Sequence, residues 1–549
     1  MQKRIRWIAG IGMLTISLVA FKQPAENYFE IAKSLDIFAT LFKEVNTYYV
    51  DEVDPKKLIR QGIDGMLESL DPYTDFIPEE ELENFRITTT GQYAGIGALI
   101  GIINNKIIIT HPYKNFPAYK SGLKVGDELI AVNGINVQGK TTAETSTLLK
   151  GPVRTEVEVK VRRHGQKNDL VFKIKREKIT VGNLAYAGLV NPEVGYIKLD
   201  DFTPGASREV SDAVVKLKSQ GAKKIILDLR DNPGGLLHEA VNLVNLFIPK
   251  GKEVVSTRGK VEEWNKSYTT LNNPLDTDIP LAVLINDGSA SASEIVAGAL
   301  QDYDRAVLLG DRTFGKGLVQ TTRQLSYNAQ LKVTTAKYYI PSGRCIQKLD
   351  YTHRQQDGSV LAYADSIRSE FKTMNGRSVF DGGGLDPDIA IDQKYLGTIT
   401  SSLYTSGLLF EYATTYCAEN PAPSDFKSFH FSGKEYEKFL SWLKEQKFTY
   451  ATTLESETKQ LLELAKKERY YPELESELKS LSSKIEANKA SDLMRFKDEI
   501  ATVLTRQIAF NYALNEGQYA VSLAHDTAIA EAVKTLQDKQ SLNKILARH

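Results

Sequence analysis

Three short segments carry residue types suited to acyl transfer. In the first, Ile285-Asn286-Asp287-Gly288-Ser289-Ala290-Ser291-Ala292-Ser293-Glu294-Ile295, an apolar strand runs through small residues into a helix. Ser291 then stands near a helix N-terminus, where unpaired amides point outward and can hold an oxyanion. An ordinary serine cap, with Glu294 at the positive end of the helix, gives the same pattern. In the second, Gly310 to Gln320, Lys316 lies between Gly315 and Gly317, which permit close backbone approach around a confined amine; an exposed turn lysine is the plainer alternative. The GxxxxGK[ST] phosphate-loop spacing is absent. The third, Asp228 to Leu237, ends a strand in Asn232-Pro233-Gly234-Gly235. Its glycine amides can line an anion site, or the glycines serve only the geometry of a βα turn.

These segments sit in a region of alternating strand and helix patterns. Strands are predicted over Val194–Leu199, Lys224–Leu229, Leu281–Ile285 and Ala306–Leu309, and helices over Ser207–Ser219 and Ser293–Tyr303, which argues for an α/β core across residues 179–402. Residues 347–377 are polar and irregular and read as a surface insertion. Residues 87–178 form short β-rich runs between glycines, including Ala98–Ile103, Lys106–Thr110, Glu128–Val132 and Glu156–Arg162, and read as a separate small domain. Residues 25–86 are helical, with Ile37, Leu41, Phe42 and Val45 on one face, broken by Asp71-Pro72-Tyr73, which reads as packing rather than chemistry. Residues 403–549 are rich in Glu, Lys, Leu and Ala, with helical periodicity over Thr453–Leu464, Leu474–Ile485 and Asp492–Leu514 but no sustained apolar heptad.

Taken together, the motifs resemble the carboxyl-terminal processing, or tail-specific, proteases. The matching strings are GSASASEIVAGALQDYDRAVLLG from Gly288, TFGKGLVQ from Thr313 and DLRDNPGGLL from Asp228, with Lys337–Arg344 and Gly384–Asp388 downstream. The resemblance implies a catalytic Ser291, Lys316 and Gln320, the lysine 25 residues after the serine and the glutamine four beyond it. It also implies a crotonase/ClpP-like protease core. In the small domain, Ser121–Gly134 resembles the GLxxGDxILxVNG signature of PDZ domains, and Gly95-Ile96-Gly97-Ala98 is similar to their carboxylate-binding loop. Such a loop binds a terminal carboxylate through its amides while the peptide joins the sheet edge. The expected architecture is therefore an α/β protease core with an inserted PDZ domain, an N-terminal helical segment and a C-terminal helical domain.

On this reading Lys316 is the general base for Ser291, a recognised variant of the serine nucleophile. It must be neutral, which requires burial and a hydrogen bond to Ser291 or Gln320. Ala292 and Gly234 or Gly235 are the expected oxyanion donors. His238, just past the NPGG turn, is set aside as a packing residue. No cofactor is needed.

The bulk composition narrows the partners. Lys plus Arg equals Asp plus Glu at 69 each, so the basic footprint of a nucleic-acid binder is missing. Protein substrates with accessible C-terminal tails are the expected partners. Lys3, Arg4 and Arg6 precede an apolar run from Trp7 to Phe21, the layout of a signal peptide within residues 1–24, with a retained membrane anchor as the alternative. The expected location is exported, periplasmic or in the cell envelope. Cys345 and Cys417 are expected to be free thiols, and no metal-ligand spacing occurs. Two competing functions are an inactive PDZ scaffold, against which intact Ser291, Lys316 and Gln320 argue, and a crotonase-type acyl-transfer enzyme, for which no CoA signature is present.

Overall fold

A computed structural model describes residues 24–547, apart from 356, 393, 394 and 432. The apolar run Trp7–Phe21, and with it the export expectation, lies outside the described residues. No helix among those described is long and apolar enough to cross a membrane.

The centre is a six-stranded sheet in the order Leu184–Asn191, Val194–Leu199, Lys224–Asp228, Leu281–Ile285, Ala306–Gly310 and Ile389–Ala390. The first pair is antiparallel and the rest are parallel. Parallel strands need crossovers, and the chain supplies them as the helices Ala206–Ser219, Leu237–Asn245 and Ala292–Asp302. Their apolar faces close one side of the sheet through Val210, Leu217, Leu243, Ile295 and Leu300. The C-terminal helix Thr527–Gln537 closes the other through Ala528, Ile529, Ala532 and Leu536. Strands covered on both faces read as continuous Val, Ile and Leu runs, which is how the sequence shows them.

This topology explains why three motifs far apart in sequence meet. The strands ending at Asp228, Ile285 and Gly310 are consecutive neighbours and parallel, so the turns that follow them share one end of the sheet. Ligands of open α/β sheets bind beyond these carboxyl ends.

The β-rich domain is a sheet in the order Ala98–Ile103, Lys106–Pro112, Glu128–Val132, Glu156–Arg162 and Leu170–Lys175, packed on Ile109, Val132, Val157, Val159 and Val161. Its ends are joined by a ribbon in which Gln92–Gly95 pairs with Glu177–Thr180. The C-terminal region is helical, including Thr453–Lys467, Tyr471–Arg495 and Lys497–His525, the last kinked at Ala513 and Leu514. It touches the small domain as well as the core: Asn104 donates to Glu411 at 2.6 Å, Lys114 pairs with Glu516 at 2.7 Å, and the ring of His111 meets Phe510 edge-on.

Two expectations need correction. The face of Ile37, Leu41, Phe42 and Val45 is not buried: Ile37 and Leu41 are exposed on the helix Pro24–Tyr48. Local periodicity identified the helix but not what covers it. The 347–377 insertion is only partly a surface feature. Gln347 is buried and accepts from the Gly317 amide at 2.8 Å, and Arg368 pairs with Asp386 at 2.7 Å. Polar composition concealed these contacts because they are hydrogen bonds and ion pairs.

Candidate active site

Ser291 immediately precedes the helix Ala292–Asp302 and holds φ +56°, ψ −114°. A left-handed φ is costly for a residue with a Cβ and persists where surrounding contacts enforce it. The turn places Ser291 at the sheet end, where its side chain lines a cleft.

What enforces it is Glu294. The side chain is completely buried, at 0% exposure. One carboxylate oxygen accepts from the amides of Ser291 at 2.8 Å and Lys316 at 2.9 Å. The other accepts from the Thr313 hydroxyl at 2.6 Å and the Gly315 amide at 2.8 Å. One carboxylate thus ties the serine turn to the lysine loop. The carbonyl side is tied as well, since the buried Tyr338 hydroxyl donates to the carbonyls of Ser291, at 3.3 Å, and Lys316. Burial pushes the Glu294 carboxyl up to about 7, against the pull of its four donors.

The third motif is clamped to the first by Asn232, also fully buried. Its carbonyl accepts from the Ala290 amide at 3.0 Å and the Ser293 hydroxyl at 2.9 Å, and its side chain donates to the Leu199 carbonyl at 2.9 Å. Gly234, at φ +97°, lies so close to the serine turn that a Cβ there would fall 2.6 Å from the Ala290 carbonyl and 2.7 Å from the Ala292 amide. Glycine is required on both counts.

A cleft of about 550 Å³ at the sheet end is lined by Ser291, Ala292, Gly234, Gly235, Lys316 and Gln320. Phe85, Thr88 and Thr89 of the helix Leu82–Thr90 also line it. All six predicted core-site residues therefore reach one cavity, although not in the arrangement expected. The Gly234 amide is spent on the Asn232 side chain at 2.9 Å. No hydrogen bond among the described residues takes the amides of Gly235 or Ala292, and these two are the open donors. Gln320 does not hold the lysine; it donates to the Thr334 hydroxyl at 3.1 Å. No hydrogen bond among the described residues joins the Lys316 amine to Ser291. The amine lies 4.1 Å from the centre of the Tyr73 ring, so the turn Asp71-Pro72-Tyr73, expected only to pack, borders the site.

The lysine has the electrostatics of a base. Burial, then repulsion from Lys332, bring its pKa down to about 8, while Glu294 and Asp71 oppose the shift. His238 has a different position. Its side chain is 64% exposed and lies 3.8 Å from Glu239, so it neither packs nor enters the cleft. His238→Ala should change the unfolding free energy by no more than about 0.5 kcal/mol, as surface changes away from a site usually do; denaturant unfolding checks this.

In the small domain the Ala98–Ile103 strand is a sheet edge beside the helix Thr142–Leu149, as strand addition by a peptide requires. The carbonyls of Ile96 and Gly97 accept from Ala118 at 2.8 Å and Tyr113 at 3.0 Å. Because a trans peptide sets N–H opposite C=O, the amides of Gly97 and Ala98 point the other way, toward the phenol of Tyr93. Gly95 pairs with Glu177 in the ribbon to the core, and Ile96 is buried.

Glu294, Asn232, Tyr338 and Tyr73 build the site although none was expected to from sequence. Glu294 had a detectable signal: it is the only charged residue of the run from Gly288 to Leu300 beyond the turn, and a helix apolar on all sides is buried.

Residues 193–353 match the model of peptidase family S41, residues 108–163 a PDZ domain, and residues 399–536 a "probable PDZ-protease, C-terminal helical domain". A carboxy-terminal-processing protease of Bartonella bacilliformis is 38% identical over 357 residues, covering 64% of this chain and 81% of that protein. A probable CtpA-like serine protease of Staphylococcus aureus is 41% identical over 316 residues, covering 57% of this chain and 62% of its own length. The solved photosystem II D1 C-terminal processing protease is 26% identical, covering 65% of this chain and 92% of its own, with a TM-score of 0.34.

Proposed function

The chain belongs to peptidase family S41, the carboxy-terminal-processing serine proteases, and on that premise we propose that it cleaves proteins by a Ser291/Lys316 dyad. The observation that carries this reading is the single Glu294 oxygen shared by the two backbone amides. It holds the hydroxyl-bearing turn and the amine-bearing loop at one cleft, beside two unpaired N–H groups.

The chemistry follows from those parts. The neutral Lys316 amine takes the Ser291 proton as the hydroxyl oxygen attacks the peptide carbonyl. The amides of Ala292 and Gly235 receive the oxyanion. The lysine ammonium then protonates the departing amine, leaving an acyl-enzyme. Water, deprotonated by the same lysine, releases the acid. Gln320 stands at the cleft wall and orients groups there without adding charge.

The substrates on this reading are exported proteins with free C-terminal tails. The tail carboxylate binds at Gly95-Ile96-Gly97-Ala98 and the peptide adds along Ala98–Ile103. The basic residues ahead of Trp7–Phe21 support export. The test is cleavage of a protein bearing an apolar C-terminal tail. Ser291→Ala and Lys316→Ala enzymes should each lose at least about 10³-fold in kcat/KM. Cleavage by either at the wild-type rate would exclude the dyad.

A further inference from the structure

The turn Asp71–Thr74 is built with more care than a packing element needs. The buried Asp71 carboxylate accepts from the amides of Tyr73 at 2.9 Å and Thr74 at 2.8 Å, and from the Thr74 hydroxyl at 3.1 Å. The Thr74 hydroxyl accepts from the Thr334 amide at 3.2 Å, and Thr334 is also the partner of Gln320. The next residues, Asp75–Ile77, pair antiparallel with Gln330–Lys332. The ring of Tyr351, from the 347–377 insertion, stands perpendicular to that of Tyr73 with the ring centres 6.3 Å apart. Tyr73 is thereby fixed with its face toward the Lys316 amine.

We propose that Tyr73 is a positioning residue for Lys316: its ring holds the charged amine away from Ser291 and releases it once the proton is lost. The inference rests on the dyad reading. An aromatic face attracts an ammonium through its quadrupole, more strongly where water is excluded. A neutral amine feels little of that attraction. Protonation state and position are then linked: charged lysine rests on Tyr73, and neutral lysine is free to reach the serine hydroxyl. The charged and titratable groups acting on the amine come from several packed elements: Lys332 and Glu294, with Asp71 and Tyr73 of the turn; Tyr338 and Tyr351 lie behind these, against Tyr73. Lys332 disfavours the ammonium, while Glu294 and Asp71 favour it. The ring adds to the favouring side.

The experiment is the pH profile of kcat/KM for Tyr73 variants, with Lys316→Ala measured in parallel. Tyr73→Leu keeps apolar bulk but has no π face, so its acid limb should move down by about 0.5–1 pH unit. Tyr73→Phe retains the face and should keep the wild-type acid limb. Tyr73→Trp, with the strongest quadrupole, should move it up. An unshifted limb in Tyr73→Leu, or a Phe variant displaced as far as the Leu one, overturns the proposal. If Tyr73→Leu does not fold, the Phe and Trp pair decides: an upward shift for Trp alone supports the proposal and none overturns it. Full activity in Lys316→Ala would instead sink the dyad reading. Loss there with no Tyr73 effect sinks this inference alone.

Discussion

Glu294→Ala should be the most damaging single substitution at the site, costing about 4 kcal/mol or more of unfolding free energy and, in whatever protein folds, at least about 10³-fold in kcat/KM. Glu294 is itself fully buried and serves four donors, of which the Thr313 hydroxyl and Gly315 amide are buried and the Ser291 and Lys316 amides partly so, and a buried group left without a partner costs about 1–3 kcal/mol. Three of them are backbone amides that cannot turn away. Glu294→Gln separates acceptor geometry from charge. Its amide oxygen can still serve Ser291 and Lys316, and its NH₂ can face Thr313, whose hydroxyl is able to accept; only the Gly315 amide is then orphaned. That variant should lose about 1–3 kcal/mol and retain measurable activity. Denaturant unfolding and steady-state kinetics on the pair check this. If the Ala and Gln variants were equally stable, the view of Glu294 as the tie between the two loops would be wrong.

That tie marks the boundary of what the sequence made legible. The strands Val194–Leu199 and Leu281–Ile285 were readable to the residue because both are buried throughout and almost wholly apolar, Lys198 being the one charged residue in either. Ser291 and Lys316 were readable through glycines and small residues that turns require. The Asn232 clamp and the tyrosine face over Lys316 were not. They depend on which strands are neighbours, and residues 73 and 316 are joined only once Asp75–Ile77 pairs with the far end of Gln330–Tyr339. The expected bond between Lys316 and Ser291 or Gln320 failed for a related reason. Spacing fixes which loops carry the groups but not the rotamer of a four-carbon side chain, and here an aromatic face outcompeted the hydroxyl.

The helical region that the sequence left without a role also finds one in the architecture. The helix Thr527–Gln537 replaces solvent on the open face of the central sheet, burying Ile529 and Leu536, each worth roughly 1.5–3 kcal/mol. Upstream, the same region reaches the small domain at Glu411, Phe510 and Glu516. The helical region thus contacts both the small domain and the central sheet and packs the one beside the other.

Lys316→Met should abolish cleavage and yet make the protein harder to unfold at neutral pH. A pKa near 8, against an ordinary 10.5, means that the folded state resists the proton more than the unfolded chain does. Below pH 8 both states carry the charge and the native state bears the full cost of burying it. Between pH 8 and 10.5 the native amine is neutral while the unfolded one is still protonated, so wild-type stability rises across that window and levels off above it. A shift of this size corresponds to about 3 kcal/mol, and residual solvent contact reduces it. Methionine fills similar volume without charge. It should therefore add about 1–3 kcal/mol at pH 7, with the gain shrinking as pH approaches 10.5. Denaturant midpoints of the two proteins at pH 7 and pH 10 measure it. A variant less stable than wild type at pH 7 would mean that the charged amine is well accommodated where it lies. The lysine would then have no reason to shed its proton for the serine, and the source of the base would have to be sought elsewhere in the cleft.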